Sequence, residues 1–366
     1  MPSTTQRSSL IPGCTVLLQQ PPPPPESPEF DYLHRLRERE IRAAFGDCRL
    51  VSEVHPAELV LRIASERVLV LRPTLAALKE ALQRGAEVSY AHCLAAHQGS
   101  EPVLTLRAFE RREAELLARR AEPGSLEEAL QAPVSLWRAE VWREHAHAFQ
   151  AKALRTGLAH EFIDYYGETR ADVFPFLPVG VREVLEIGCA RGLTGALLQE
   201  QLGCRVTGVE LNPQVAREAA SRLAEVIVGD VETLELSRTF DAVIALELFE
   251  HLRDPFAFLQ KVRRWLRPGG VMILSTPNVG HWSVVRDLLE GRWDYLPMGL
   301  LCFTHLRFFT RKSLRDLLEL GGFAHVQLVP QRNPVPESFA KVLRKLPGVD
   351  WESLDTQGFW VIARKR

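Results

Sequence analysis

Apolar residues in the C-terminal part of the chain gather into short runs, separated by polar turns and by stretches of helical spacing. Residues 181–187, 205–209, 225–228, 240–246 and 271–274 read as buried strands. Between them, 193–201, 214–223 and 256–266 read as helices. Thr310 caps a helix over 311–320 that stops at Gly321-Gly322. Residues 324–329 and 358–363 read as the last two strands, an antiparallel hairpin with a helix over 337–346 inserted between them. The rhythm predicts an α/β domain with helices on both faces of its sheet.

The N-terminal part has its own pattern. Residues 1–29 are rich in Pro, Ser, Thr and Gln, with Pro21 to Pro25 unbroken. They predict a disordered tail with a stiff polyproline II section, either a linker or a ligand for an aromatic groove. In 30–121 a small α/β accessory domain is expected. It has helices over 32–45, 74–84 (with Thr74 as N-cap) and 107–120, and strands over 49–54, 67–71, 87–94 and 104–106. Pro123-Gly124-Ser125 is a break, and Ser125 with Glu127 and Glu128 close behind starts a new helix. Residues 136–166 read as helical and aromatic-rich, with Trp137, Trp142, Phe149, Phe162, Tyr165 and Tyr166. His145, His147 and His160 in this stretch read as surface or packing residues. The expected organisation is a tail over 1–29, the accessory domain over 30–121, a helical linker and lid over 122–170, and the main domain over 171–366.

Composition narrows the function classes. The chain has 46% hydrophobic and 25% charged residues and a formal net charge of −1, an ordinary globular balance. No basic surface for nucleic acid is indicated, and no apolar run reaches the roughly 18 residues of a membrane span. There is no basic-then-apolar leader pattern at the start. The six cysteines show no C-x-x-C and no Cys/His grouping at zinc spacing. Reduced thiols, a cytoplasmic location and no metal are therefore expected.

The chemistry starts at the turn after strand 181–187. It reads Glu186-x-Gly188-Cys189-Ala190-x-Gly192. A tight Gly turn between a strand and a helix lets a ligand approach the backbone beside free helix N–H groups. The order is not the G-x-G-x-x-G of a nicotinamide dehydrogenase. Instead it resembles motif I of the class I S-adenosylmethionine (SAM) methyltransferases. Ala190 departs from that motif at its middle Gly, and its methyl fits if φ is negative there. Cys189 is expected as a small filler and not as a nucleophile. Glu210, closing the next strand, stands near the spacing expected of a carboxylate that accepts two ribose hydroxyls.

The resemblance continues to the C-terminus. Gly229-Asp230-Val231 matches the family position where an acidic residue accepts from the adenine amine and a neighbouring backbone N–H meets a ring nitrogen. The segment from Phe240-Asp241-Ala242-Val243 to Leu246-Glu247-Leu248-Phe249-Glu250-His251-Leu252-Arg253-Asp254-Pro255 resembles motif IV of the ubiquinone-type O-methyltransferases. Leu266-Arg267-Pro268-Gly269-Gly270 before a strand is a further family feature. The resemblance implies a Rossmann-like, seven-stranded methyltransferase sheet with SAM as cofactor. It implies that Glu186, Gly188, Cys189, Ala190, Gly192, Glu210, Leu211, Asp230, Val231, Leu246 and Glu247 surround the cofactor, Glu247 near the sulfonium. His251 is then the first choice for general base, with Glu250 orienting it or binding acceptor hydroxyls; a plain helix-capping role for the pair stays open. Trp282, His305 and Arg307 are candidates for binding a small-molecule or glycan-linked acceptor, with core packing and a structural ion pair as the plainer roles. Residues 30–121 faintly resemble a fragment of a nucleotide-sugar-binding domain, without its phosphate loop or Asp-x-Asp, and are expected to serve substrate choice or assembly. Four readings follow: an O-methyltransferase, an N-methyltransferase, a non-catalytic binding or assembly protein of the same fold, and, disfavoured by the turn, a dehydrogenase.

Overall fold

The computed structural model describes residues 14–18, 28–45, 49–51, 59–65, 67–95, 105–144, 151–162 and 164–365. Pro21 to Pro25, His145, His147 and Phe149 lie outside them. The chain divides into two compact units, 1–163 with 296–298, and 164–295 with 299–366.

In the first unit, β1 (Cys14–Leu18), β2 (Arg49–Val51), β3 (Leu59–Ile63), β4 (Val68–Val70), β5 (Val88–Ala95), β6 (Glu122–Gly124), β7 (Val134–Arg138) and β8 (Ala153–Glu161) form one mixed sheet. Helices α1 (Pro28–Phe45), α2 (Arg72–Gln83), α3 (Leu106–Leu117), α4 (Leu126–Gln131) and α5 (Ala139–Glu144) complete it. Alternation in β3 sends Leu61 into a core with Ile41, Phe45 and Leu78, and Val60 into another with Tyr90 and Trp137.

Several expectations need correcting here. The supposed tail contains a strand, β1, which pairs in parallel with β2 and β3. β3 itself was not anticipated. Helix α2 starts at Arg72, with Pro73 in its first turn and no side-chain cap. Thr74 therefore lies inside it and accepts from Leu158 N–H instead. Where a strand was read at 104–106, Thr105 caps α3. The 136–166 stretch is not a helical lid, for β7 and β8 add strands to the first unit's sheet. The physical reason is two-sided burial: Trp137, Leu158 and Ala159 are all buried, so strand alternation is masked by apolar residues on both faces. The capping box at Ser125 and Glu128 forms as expected.

The second unit is a doubly wound sheet. β9 (Glu183–Ile187), α6 (Leu193–Leu202), β10 (Arg205–Glu210), α7 (Pro213–Ala219), β11 (Glu225–Val228), β12 (Phe240–Leu246), α8 (Pro255–Trp265) and β13 (Leu266–Pro277) come first. They are followed by α9 (Trp282–Leu289), α10 (Arg311–Leu320), β14 (Phe323–Arg332), α11 (Glu337–Leu343), α12 (Trp351–Leu354) and β15 (Thr356–Lys365). The seven strands run in the order β11-β10-β9-β12-β13-β15-β14. β15 is antiparallel to both neighbours, and the other pairings are parallel.

Side chains alternate through this sheet. Leu185, Ile187, Val243, Ala245, Met272 and Leu274 meet α8 and α10 on one face. Val184, Ala242, Ile244, Val271 and Ile273 meet α6 and α7 residues on the other. The order reverses at β9 and β12, so the connections from their carboxyl ends, through α6 and α8, run to opposite faces of the sheet, the place where such sheets take ligands in a crevice. No described helix is long and apolar enough to cross a membrane.

Candidate functional site

The turn after β9 is left-handed at Gly188, Ala190 and Gly192, with φ of 71°, 47° and 75°. The condition of negative φ under which the Ala190 methyl would fit is therefore not met. Gly188 and Cys189 both donate their N–H to Val209 O, at 2.8 and 3.1 Å. An alanine in this conformation is strained by about 1–2 kcal/mol. Cys189 is buried, its thiol pushed up by burial and by Glu186 and Glu210, as suits a filler. Arg191 is paired with Asp164 and with Glu218.

Glu186 does not open onto the crevice. It shares a sheet face with Val184, and Gly195 of α6 covers it. A Cβ on Gly195 would lie 2.4 Å from Glu186 Oε2. Burial raises this carboxyl to about 8, only partly opposed by the Gly195 N–H, and Oε2 has no hydrogen-bond partner. Glu186 is therefore largely protonated at neutral pH and supports α6 from beneath the turn.

Glu210, at the end of β10, ties two loops together. Its Oε2 accepts from Ala190 N–H at 3.0 Å and its Oε1 from Asn212 N–H at 2.8 Å. Burial raises its carboxyl, against the N–H groups of Asn212, Ala190 and Leu211. Leu211 beside it is exposed. On the neighbouring strand end, Asp230 Oδ1 accepts from Glu232 N–H at 2.8 Å, and Oδ2 accepts from Arg253 at 2.6 Å. Val231 is buried in the core. Glu210 and Asp230 thus leave adjacent parallel strands on the same edge of the sheet.

At the end of β12, Leu246 is half-buried and Glu247 is left-handed, φ 47°. The Glu247 N–H is held by Ser275, and its carboxylate stands 3.9 Å from Arg170. A short 3-10 turn, Phe249–His251, then buries Glu250 to 1% exposure. Glu250 Oε2 accepts from Thr276 Oγ1 at 2.9 Å. Its Oε1 has no hydrogen-bond partner and lies 3.9 Å from His305 Nε2. Burial, then the nearby Glu247 charge, holds the Glu250 carboxyl well above its ordinary range.

His305 comes from the segment after α9. Its Nδ1 lies 3.1 Å from Leu300 O, and the Nδ1 of His251 lies 3.2 Å from Thr304 O. A carbonyl accepts only, so in the neutral rings each Nδ1 carries the proton and each Nε2 is the basic nitrogen. The two rings meet edge to face at 4.8 Å. Burial, with His251 adding, lowers His305 to about 3. Glu250, His251 and His305 present ligand-type atoms all within 4.8 Å of one another. Where sequence spacing suggested no metal, the fold gathers a donor set able to hold one.

The remaining candidates separate. Arg307 is exposed; its side chain donates to Arg253 O, and its N–H, like that of Leu306, donates to Glu250 O at 2.9 Å. Trp282 is 7% exposed and packs with Leu343 and Leu354, so its ring is part of the core. Arg170 and Thr276 were missed by sequence reading. Arg170 donates its N–H to Thr194 Oγ1 at 3.0 Å and lies 4.9 Å over the Trp360 ring. Nothing in its local sequence sets it apart from a surface arginine.

The methyltransferase domain family model matches residues 137–328, just over half of the chain. A ubiquinone biosynthesis O-methyltransferase of Cereibacter sphaeroides is 32% identical over 176 residues, 44% of this chain and 69% of the relative. A probable S-adenosylmethionine-dependent methyltransferase of Mycolicibacterium smegmatis is 33% identical over 145 residues, covering 39% and 52%. A solved SAM-dependent methyltransferase from Archaeoglobus fulgidus is 21% identical, with TM-score 0.39, covering 53% of this chain and 90% of its own.

The residues fit SAM. Each oxygen of Glu210 keeps acceptor capacity beyond its backbone bond, as a vicinal diol needs. The turn that Gly188 and Gly192 permit brings backbone, not side chain, to the crevice. With family model, relatives and sheet order agreeing, the chain belongs to the class I SAM-dependent methyltransferases.

Proposed function

We propose that the protein methylates an oxygen: it moves a methyl group from SAM to the hydroxyl of a small-molecule or glycan-linked acceptor. The observation that carries this reading is the cluster at the end of β12, where the partly exposed His251, its Nδ1 on a carbonyl, stands beside a buried carboxyl and a second, buried histidine. Bound SAM supplies an already activated methyl, so the chain's residues have only to bind, orient and move a proton.

The roles divide by strand end. Glu210 receives the ribose hydroxyls, and Asp230 with the Val231 N–H receives the adenine. Gly188, Cys189, Ala190 and Gly192 form the backbone cradle, with Glu186 as its buried support and Leu211 and Leu246 as apolar walls. Glu247 balances positive charge. His251 Nε2 takes the acceptor's proton, the bond from Nδ1–H to Thr304 O keeping that nitrogen basic. Glu250, buried and held by Thr276, orients the two histidines from behind, His305 packs edge to face on His251, and Arg307 flanks the acceptor. A cytoplasmic setting and a glycan-type acceptor belong to the same proposal.

Labelled SAM incubated with a cell extract identifies the acceptor by mass. On that acceptor, His251→Ala should lower kcat by about 10²-fold or more. An amine acceptor needs less help from a base. A variant that keeps nearly full rate would therefore favour N-methylation and overturn the hydroxyl reading. Absence of saturable SAM binding would favour a non-catalytic role.

A further inference from the structure

We propose that Lys261 is a positioning residue for the cofactor: from α8 it sets the loop after β11 in its binding form before the cofactor arrives. The inference rests on reading that loop, through Asp230 and Val231, as the adenine site. Lys261 is 8% exposed. Its Nζ donates to Val231 O at 3.3 Å, Glu232 O at 2.7 Å and Leu234 O at 2.8 Å. An ammonium has three N–H groups; here they face three carbonyls of one loop, with the Glu235 carboxylate of the same segment 3.5 Å from the nitrogen.

The loop is a single turn, with Thr233 and Leu234 both donating to Asp230 O at 3.0 and 2.9 Å. A turn that goes no further leaves its last carbonyls unpartnered. Lys261 supplies the missing donors.

The consequence for Asp230 follows from peptide planarity. The C=O of Val231 and the N–H of Glu232 belong to one trans peptide and point opposite ways. With the carbonyl held by Lys261, the N–H faces Asp230, where it donates to Oδ1 at 2.8 Å. Lys261 thus fixes the direction of the Asp230 carboxylate through one rigid plane. Arg253 also reaches Asp230, at 2.6 Å, but its side chain is 66% exposed, and such surface pairs hold weakly. The buried lysine is the stronger constraint.

The test measures Kd for S-adenosylhomocysteine and for adenosine by calorimetry. It uses the full chain as wild type, Lys261→Met, Asp230→Asn and the double variant, each well below its melting temperature. Lys261→Gln, which keeps two donors, stands in if the Met variant does not fold. Loss of order at even one backbone position weakens binding about tenfold. Lys261→Met should therefore weaken both ligands about tenfold, and the double variant should be no weaker than Asp230→Asn alone, because the lysine acts through Asp230. A purely structural lysine lowers the melting temperature and leaves both Kd values at wild type while Asp230→Asn raises them; that result overturns the proposal. If Asp230→Asn itself leaves adenosine binding unchanged, the adenine reading of the loop falls and the proposal with it.

Discussion

Replacing Glu186 by glutamine should remove a loss of stability that the second unit otherwise suffers as pH rises through neutrality. The carboxyl is 5% exposed, and burial raises it from 4.5 to about 8. The folded chain therefore holds a proton that the unfolded chain loses above its own pKa. Stability from this group is complete below pH 4.5 and drains away as pH rises towards about 8. Below about pH 6.5 the buried histidines act in the opposite direction, so the clean window is about pH 6.5–8. Over that span of about 1.5 units, at about 1.36 kcal/mol per unit, wild type loses about 2 kcal/mol. Glutamine keeps the shape and the acceptor for Gly195 N–H but has no proton to lose. Thermal melts of both proteins at half-unit pH steps give the difference directly, which should grow by about 4–8 °C in favour of Glu186→Gln. Parallel curves across the window would mean that Glu186 is ionised in the fold, and the argument from its burial would be wrong.

Other outcomes follow from the same contacts. Gly195→Ala places a Cβ 2.4 Å from Glu186 Oε2 and 2.7 Å from Leu223 Cδ2. Denaturant melts should show a loss of about 1–3 kcal/mol despite the gain in helix propensity. Glu210→Gln removes the charge from bonds to Ala190 and Asn212 N–H; calorimetry should find SAM binding weaker by about tenfold or more, and an unchanged Kd would refute a ribose role. His281 is lowered to about 4 by burial. A group depressed in this way contributes stability above about pH 6.5 that is lost as pH falls towards about 4. His281→Asn should therefore show a shallower loss of melting temperature between those values.

The motifs of the cofactor half were legible in the sequence because each is a local device. A Gly turn, a carboxylate closing a strand and an Asp after the next strand lie within a few residues of the backbone geometry they serve, so spacing pointed to Glu210 and the family resemblance to Asp230, and the fold sets them on neighbouring strand ends. Short apolar runs likewise predicted β9 to β13. In the first unit the same reasoning failed. Trp137 and Leu158 are buried on strands whose two faces are both covered, and a strand without polar alternation looks like any other apolar stretch. Tertiary packing also decided the site's electrostatics. His305 stands beside Glu250 where the Leu306 and Arg307 N–H groups dock on Glu250 O, a pairing no local pattern announces. Glu186 is neutral, and Trp282 is core, because α6 covers one and Leu343 and Leu354 surround the other. Sequence supplies the groups and their local turns. Desolvation and distance, which fix what those groups can do, exist only once the chain has folded around them.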